Sequence, residues 1–148
     1  MKSMGQMIAE MARFLPLSRG ALAELSLMGP LMTNHVDVML AHHPELRQNP
    51  LPLGSHTRRL LQARSLAELL DTLAGGDPRK TLVVFVQLLA RRHESGFTPQ
   101  HWRLSLECWR LMIDSHLSPE TAHEVRPLLL WLANSLDDLI RTACGEAA

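Results

Sequence analysis

The sequence predicts an all-α protein of about six to seven helices plus a short N-terminal one, and three observations carry that prediction. Apolar residues recur at steps of three and four along most of the chain, the spacing that returns to one face of a helix. Asp77-Pro78, Thr98-Pro99 and Ser118-Pro119 each join a side chain that accepts from free helix-end N–H groups to a proline at the first helical position, where a missing N–H costs nothing. Glycines stand where such helices should stop, at Gly75-Gly76 and Gly96.

Met4, Met7, Ile8, Met11 and Phe14 share one face before Pro16, which predicts an amphipathic helix within residues 1–16 that packs on the domain or on a partner. Ser18 caps a second helix with Leu22, Leu25 and Leu27. Gly29-Pro30 is expected to kink or break it, because an internal proline removes a backbone hydrogen bond and crowds the preceding turn. A third helix spans about Leu31 to His42 and carries Met32, Val36, Met39 and Leu40. Pro44, Pro50, Pro52 and Gly54 crowd the next stretch, so residues 43–55 read as loop or short turns.

A long helix from Ser55 should bury Leu60, Leu66, Leu69, Leu70 and Leu73 before Gly75-Gly76 ends it. The helix starting at Asp77 contains a run, Leu82 to Leu89, β-branched enough to pass for a buried strand; its caps and total length favour helix. The helix from Thr98 carries Trp102, Leu106, Trp109, Met112 and Ile113. The last, from Ser118, presents Leu129, Leu132, Leu136, Leu139 and Ile140, with Pro127 expected to kink or delay it.

At 148 residues, with 46% apolar and 20% charged side chains, the chain reads as one globular domain able to bury a core without disulfide or metal staples. Fifteen basic and fifteen acidic residues cancel, so no bulk field favours nucleic acid or an anionic membrane. Cys108 and Cys144 make neither a disulfide framework nor a zinc site, and without Cys-x-x-Cys-His covalent haem attachment is excluded. Glu10 and Arg13 interrupt any secretory signal, and no apolar run nears the roughly 20 residues that cross a bilayer. A cytoplasmic protein without membrane insertion is expected. The phosphate-binding loop, the nucleophile elbow and His-Glu-x-x-His are all missing, which disfavours an enzyme.

Leu82, Phe85, Val86, Leu89 and His93 fall on one helical face, so His93 prolongs an apolar stripe. An imidazole there can ligate a haem iron, its other ring N–H held by a carbonyl or side chain. The alternative is a helix-end histidine that complements free carbonyls. Arg91-Arg92 and Arg58-Arg59 could pair with a haem propionate or a partner's carboxylate; the plainer reading is a solvated basic turn.

The run LARRHESGFTPQHW, the helix of spaced large apolar residues after it, and LSPETAHEVRPLLLWLANSLDDLI together resemble the C-terminal half of bacterial single-domain and sensor globins. HHPELRQ, His42 to Gln48, is similar to the end of that family's second helix, and the resemblance covers most of Leu17 to Ile140. It implies a globin-like fold over residues 17–148, preceded by the N-terminal helix of residues 1–16. It also implies b-type haem held by His93 as the metal ligand, with Phe85, Leu89, Phe97 and Trp102 as the cofactor's surroundings. His56, Arg59, Gln62 and His35 are the distal candidates, each otherwise a solvated position on an outer helix face. The implied ligand is a diatomic gas, O2, NO or CO, and sensing it would need a protein partner or a homodimer. His101, in the family's Pro-x-His-aromatic run, reads as structural.

The chain departs from the family pattern in three places. Glu94-Ser95-Gly96 is one residue shorter than the commonest corner, no phenylalanine lies in Gln48 to Leu53, and there is no tyrosine at all. These departures motivate a second reading: a non-haem globin-like regulatory protein that binds a partner or an apolar ligand such as a fatty acid. Met4 to Phe14 would then be its adaptable contact surface.

Overall fold

The structure is a computed structural model, and it describes residues 1–145. Among these, every regular element is helical: α1 (Met4–Met11), α2 (Arg19–Ala41), α3 (Ser55–Gly75), α4 (Pro78–Glu94), α5 (Pro99–His116), α6 (Pro119–Asn134) and α7 (Leu136–Cys144). Short 3-10 turns follow α1 at Ala12–Phe14 and α2 at Pro44–Leu46. The order is compatible with a globin-like helical arrangement. No described helix is long and apolar enough to cross a membrane.

The predicted starts are made by the predicted residues. Ser18 accepts from the Ala21 N–H, Asp77 from those of Arg79 and Lys80, and Ser118 from that of Thr121. At α5 the cap is reciprocal: Thr98 accepts from the His101 N–H while the His101 ring accepts from the Thr98 N–H at 2.9 Å. His101 is buried, and its Nε2 lies 2.8 Å from the Asn49 carbonyl, so the partners assign a neutral ring protonated at Nε2. The structural role expected of His101 is what this geometry describes.

Two prolines do not break their helices. α2 runs unbroken through Gly29-Pro30, because buried Leu25, Met32 and Val36 anchor the turns on both sides of the one lost hydrogen bond. α6 likewise passes through Pro127. The interruption falls at Ser135, whose backbone leaves helical geometry and whose buried hydroxyl accepts from Lys2 Nζ at 3.0 Å.

α1 is not a free surface. Met7 and Met11 are fully buried in the main core with Met32, Leu82, Leu89 and Leu139, so of the domain and the partner offered as its contact the helix packs on the domain, which closes these two methionines to a partner. Lys2 and Glu10 extend the attachment: Lys2 pairs with Glu10 at 2.7 Å, and the Trp131 indole donates to Glu10 at 2.9 Å.

α2 packs against α3 and α5, α4 against α7 and α1, and α5 against α6. The α2–α3 register is set by two contacts. A Cβ at Gly29 would lie 2.6 Å from Leu66 Cδ2, and Arg58 Nε donates to Asp37 Oδ1 at 2.9 Å two turns along. As α2 ascends α3 descends, so Thr33, halfway between Gly29 and Asp37, faces Gln62, halfway between Leu66 and Arg58.

Candidate functional site

α3 deviates most from its expected burial. Of the five leucines predicted to be its core face, Leu73 alone is buried, Leu60 is exposed, and Leu66, Leu69 and Leu70 are half-buried. The last three are not packed against protein on all sides because they line a cavity of about 190 Å³. Phe85 and Leu88 of α4, Trp102, Leu106 and Trp109 of α5, and Val125, Leu128, Leu129 and Leu132 of α6 complete its apolar wall.

One part of the lining is polar: Thr33, Gln62, Ser65, Arg92 and Ser105. Arg92 reaches the cavity because α4 has two buried faces. Phe85, Leu88 and Arg92, at steps of three and four, look into the cavity, whereas Leu82 and Leu89 belong to the core shared with α1 and α7. Arg92 is 5% exposed. Its Nη2 donates to Ser65 Oγ at 3.1 Å, and its guanidinium lies 5.8 Å from the centroid of the Phe97 ring. Burial, and then the charge of Arg91, push Arg92 below the usual arginine value. Its neighbour Arg91 behaves as the solvated basic turn predicted, pairing at the surface with Glu68 at 2.9 Å.

His93 does not line this cavity. It is exposed, and it borders a crevice of about 10 Å³ with Leu89, Ile140 and Cys144, next to Phe97 and Trp102, which line both spaces. A space of that size holds at most about one water. The sequence-predicted residues therefore divide. Phe85, Phe97, Trp102 and Gln62 meet at the cavity; Leu89 and His93 do not. His56 and Arg59 are exposed at the start of α3, and His35 is exposed on α2 with its ring edge-on to His116 at 5.1 Å.

The side chains present do not fit an iron porphyrin. Among the described residues that line the cavity there is no histidine, cysteine, methionine or tyrosine, the side chains that bind haem iron axially. The described residues also contain no cluster of three metal-ligating side chains. The space, about 190 Å³ and partly open to solvent, takes a slender apolar chain or a small ring system. Cys108 is buried in a second, smaller core, and burial raises its thiol, so it is no ready ligand or nucleophile.

Thr33, Ser65 and Ser105 are the polar cavity residues that sequence reasoning passed over; it offers Arg92 as a partner for a carboxylate or, more plainly, as part of a solvated turn, and the burial of Arg92, like that of Arg58, corrects the plainer reading. The available signal was the position of Arg92, one turn beyond Leu88 and two beyond Phe85 on an apolar face. No family model, curated protein or solved structure matches the chain.

Proposed function

We propose that this chain is a globin-like, non-haem binding module that takes a slender apolar ligand into the cavity between α3, α4, α5 and α6. The carrying observation is the cavity itself. Its wall is almost wholly apolar and partly open to solvent, so a ligand that fills it takes leucine, phenylalanine and tryptophan surface out of water. Half-buried Leu66, Leu69 and Leu70 make α3 the wall that gains most contact when the cavity fills. Binding would thereby seat α3 more firmly on α4 and α5, which is how occupancy could be read by a protein partner.

The haem and gas-binding expectation finds no axial ligand on this cavity, and His93 borders the small adjoining crevice instead. The apolar-ligand reading needs no rearrangement.

Titration with the neutral probe N-phenyl-1-naphthylamine tests the proposal, with Trp102 and Trp109 as reporters in the wall. Saturable enhancement of probe emission is expected, with loss of tryptophan emission. Leu69→Trp, which adds an indole to the lining, should abolish both while leaving helical content intact. A folded wild-type protein that gives no saturable signal would refute the proposal.

A further inference from the structure

Three buried side-chain polar atoms have no hydrogen-bond partner among the described residues: Thr33 Oγ1, Gln62 Oε1 and Arg92 Nη1. All three belong to residues that line the same cavity. A buried polar atom left unpaired is costly, and a buried cation without a carboxylate more so, which makes their convergence on one otherwise apolar space informative.

Their arrangement follows from the helices. Thr33 faces Gln62 across the α2–α3 contact, between the Gly29–Leu66 and Arg58–Asp37 meetings. Ser65 sits three residues after Gln62, on the same side of α3, and holds Arg92 through Nη2 at 3.1 Å. Ser65 gives its own proton to the Leu61 carbonyl at 2.8 Å, so it can steady the guanidinium but has no donor for a ligand. Arg92 Nη1 has no acceptor among the described residues and is sealed from solvent in the ligand-free protein, so a small turn of the guanidinium brings it to a ligand.

The chemistry of this cluster selects a ligand class. Arg58, Arg91, Arg126 and Arg141 each meet a carboxylate of this chain, whereas Arg92 meets none. Its cationic Nη1–H calls for an anion, and the Thr33 hydroxyl, on a residue of the same lining, is a second donor. The Gln62 amide presents its N–H₂ in place of its oxygen by a half-turn about its last bond. One positive charge in an apolar wall matches one negative charge; a dianionic phosphate would leave a buried net charge uncompensated.

We infer that Thr33, Gln62 and Arg92 form a head-group site for an aliphatic monocarboxylate whose chain lies along the leucine and tryptophan wall. This rests on the proposal that the cavity binds an apolar ligand, and it adds the charge and class of that ligand.

The test compares decanoate, 1-decanol and decyltrimethylammonium as competitors of N-phenyl-1-naphthylamine at neutral pH. Decanoate should bind at least about tenfold more tightly than decanol, as expected for a charge-assisted hydrogen bond in a desolvated site, and the cation weakest. Arg92→Met should erase the preference for decanoate while leaving decanol affinity within about threefold. Gln62→Leu and Thr33→Val should each narrow it, and they keep the test decisive if Arg92→Met does not fold. Equal binding of decanoate and decanol to the wild-type protein, or an undiminished preference in the variants, overturns the head-group site alone. Failure of the neutral probe and of all three competitors to bind a folded protein overturns the cavity reading as well.

Discussion

Arg92 and Ser65 join α4 to α3 by one hydrogen bond, Nη2 to Oγ at 3.1 Å, and among the described residues the serine oxygen is the only atom that accepts from this buried guanidinium. Polar side chains at the cavity are thus held in place without being satisfied, an arrangement suited to meeting something else and poor for stability.

Replacing Arg92 by methionine should therefore not weaken the ligand-free protein. Removing a buried, incompletely paired cation is expected to be neutral or to add about 1 kcal/mol to unfolding stability, read from urea denaturation at neutral pH. A loss above about 2 kcal/mol would mark the guanidinium as structural.

Asp37 should behave in the opposite way. Its carboxylate is 2% exposed and accepts from Arg58 Nε at 2.9 Å and Nη2 at 3.3 Å, while Arg58 Nη1 donates to the Leu53 carbonyl at 2.8 Å. Leu53 is held in the left-handed region, at φ 67°, at the entry to α3. Asp37→Ala strands a buried cation and releases that turn, so a loss of roughly 3–5 kcal/mol is expected in urea or thermal unfolding.

Gly29→Ala separates stability from binding. The added Cβ would sit 2.6 Å from Leu66 Cδ2, the far end of a flexible side chain that borders the cavity. Leu66 can swing into that space, and alanine gains up to about 1 kcal/mol in helix propensity, so stability should change by less than about 1 kcal/mol. The cavity shrinks, and probe affinity should fall at least about fivefold by fluorescence titration.

Glu24 ties α2 to α6 and sets an acid limit. The N–H and hydroxyl of Ser118, then the Thr121 hydroxyl, hold its carboxyl below the usual glutamate value. A depressed folded-state pKa means stability that is fully present above the unfolded value of about 4.3 and is lost as pH falls through the folded one. In urea midpoints measured from about pH 6 to about pH 3, Glu24→Gln should lose stability at the upper end and show a shallower acid decline than wild type. Parallel curves would contradict this role.

The helix starts were legible because a cap and a proline act within four residues: Asp77, Thr98 and Ser118 each begin the helix expected of them. Breaks were less legible because they depend on the rest of the molecule. Pro30 is carried by burial on either side of it, whereas Ser135 interrupts α6–α7 where Lys2, far away in sequence, takes its hydroxyl. At the candidate site, periodicity brought Phe85 into view, and the resemblance to globins added Phe97, Trp102 and Gln62. Periodicity grouped His93 and Leu89 with Phe85, whereas they border the smaller crevice, since steps of three and four permit either the Leu82–Leu89 face or the Phe85–Leu88 face. Which face meets the cavity depends on α7 and α1 filling the other, a long-range fact no local pattern contains. The unpaired state of Thr33 and Arg92 likewise exists only once α2, α3 and α4 are assembled.

The most direct measurement is calorimetric titration of decanoate into the wild-type protein, His93→Ala and Leu69→Trp, beside an absorption spectrum of each after incubation with haem. The cavity account predicts one saturable decanoate site in wild type and in His93→Ala, none in Leu69→Trp, and no His93-dependent Soret band. A stoichiometric haem spectrum that disappears in His93→Ala, with no decanoate binding in the wild-type protein, would contradict it.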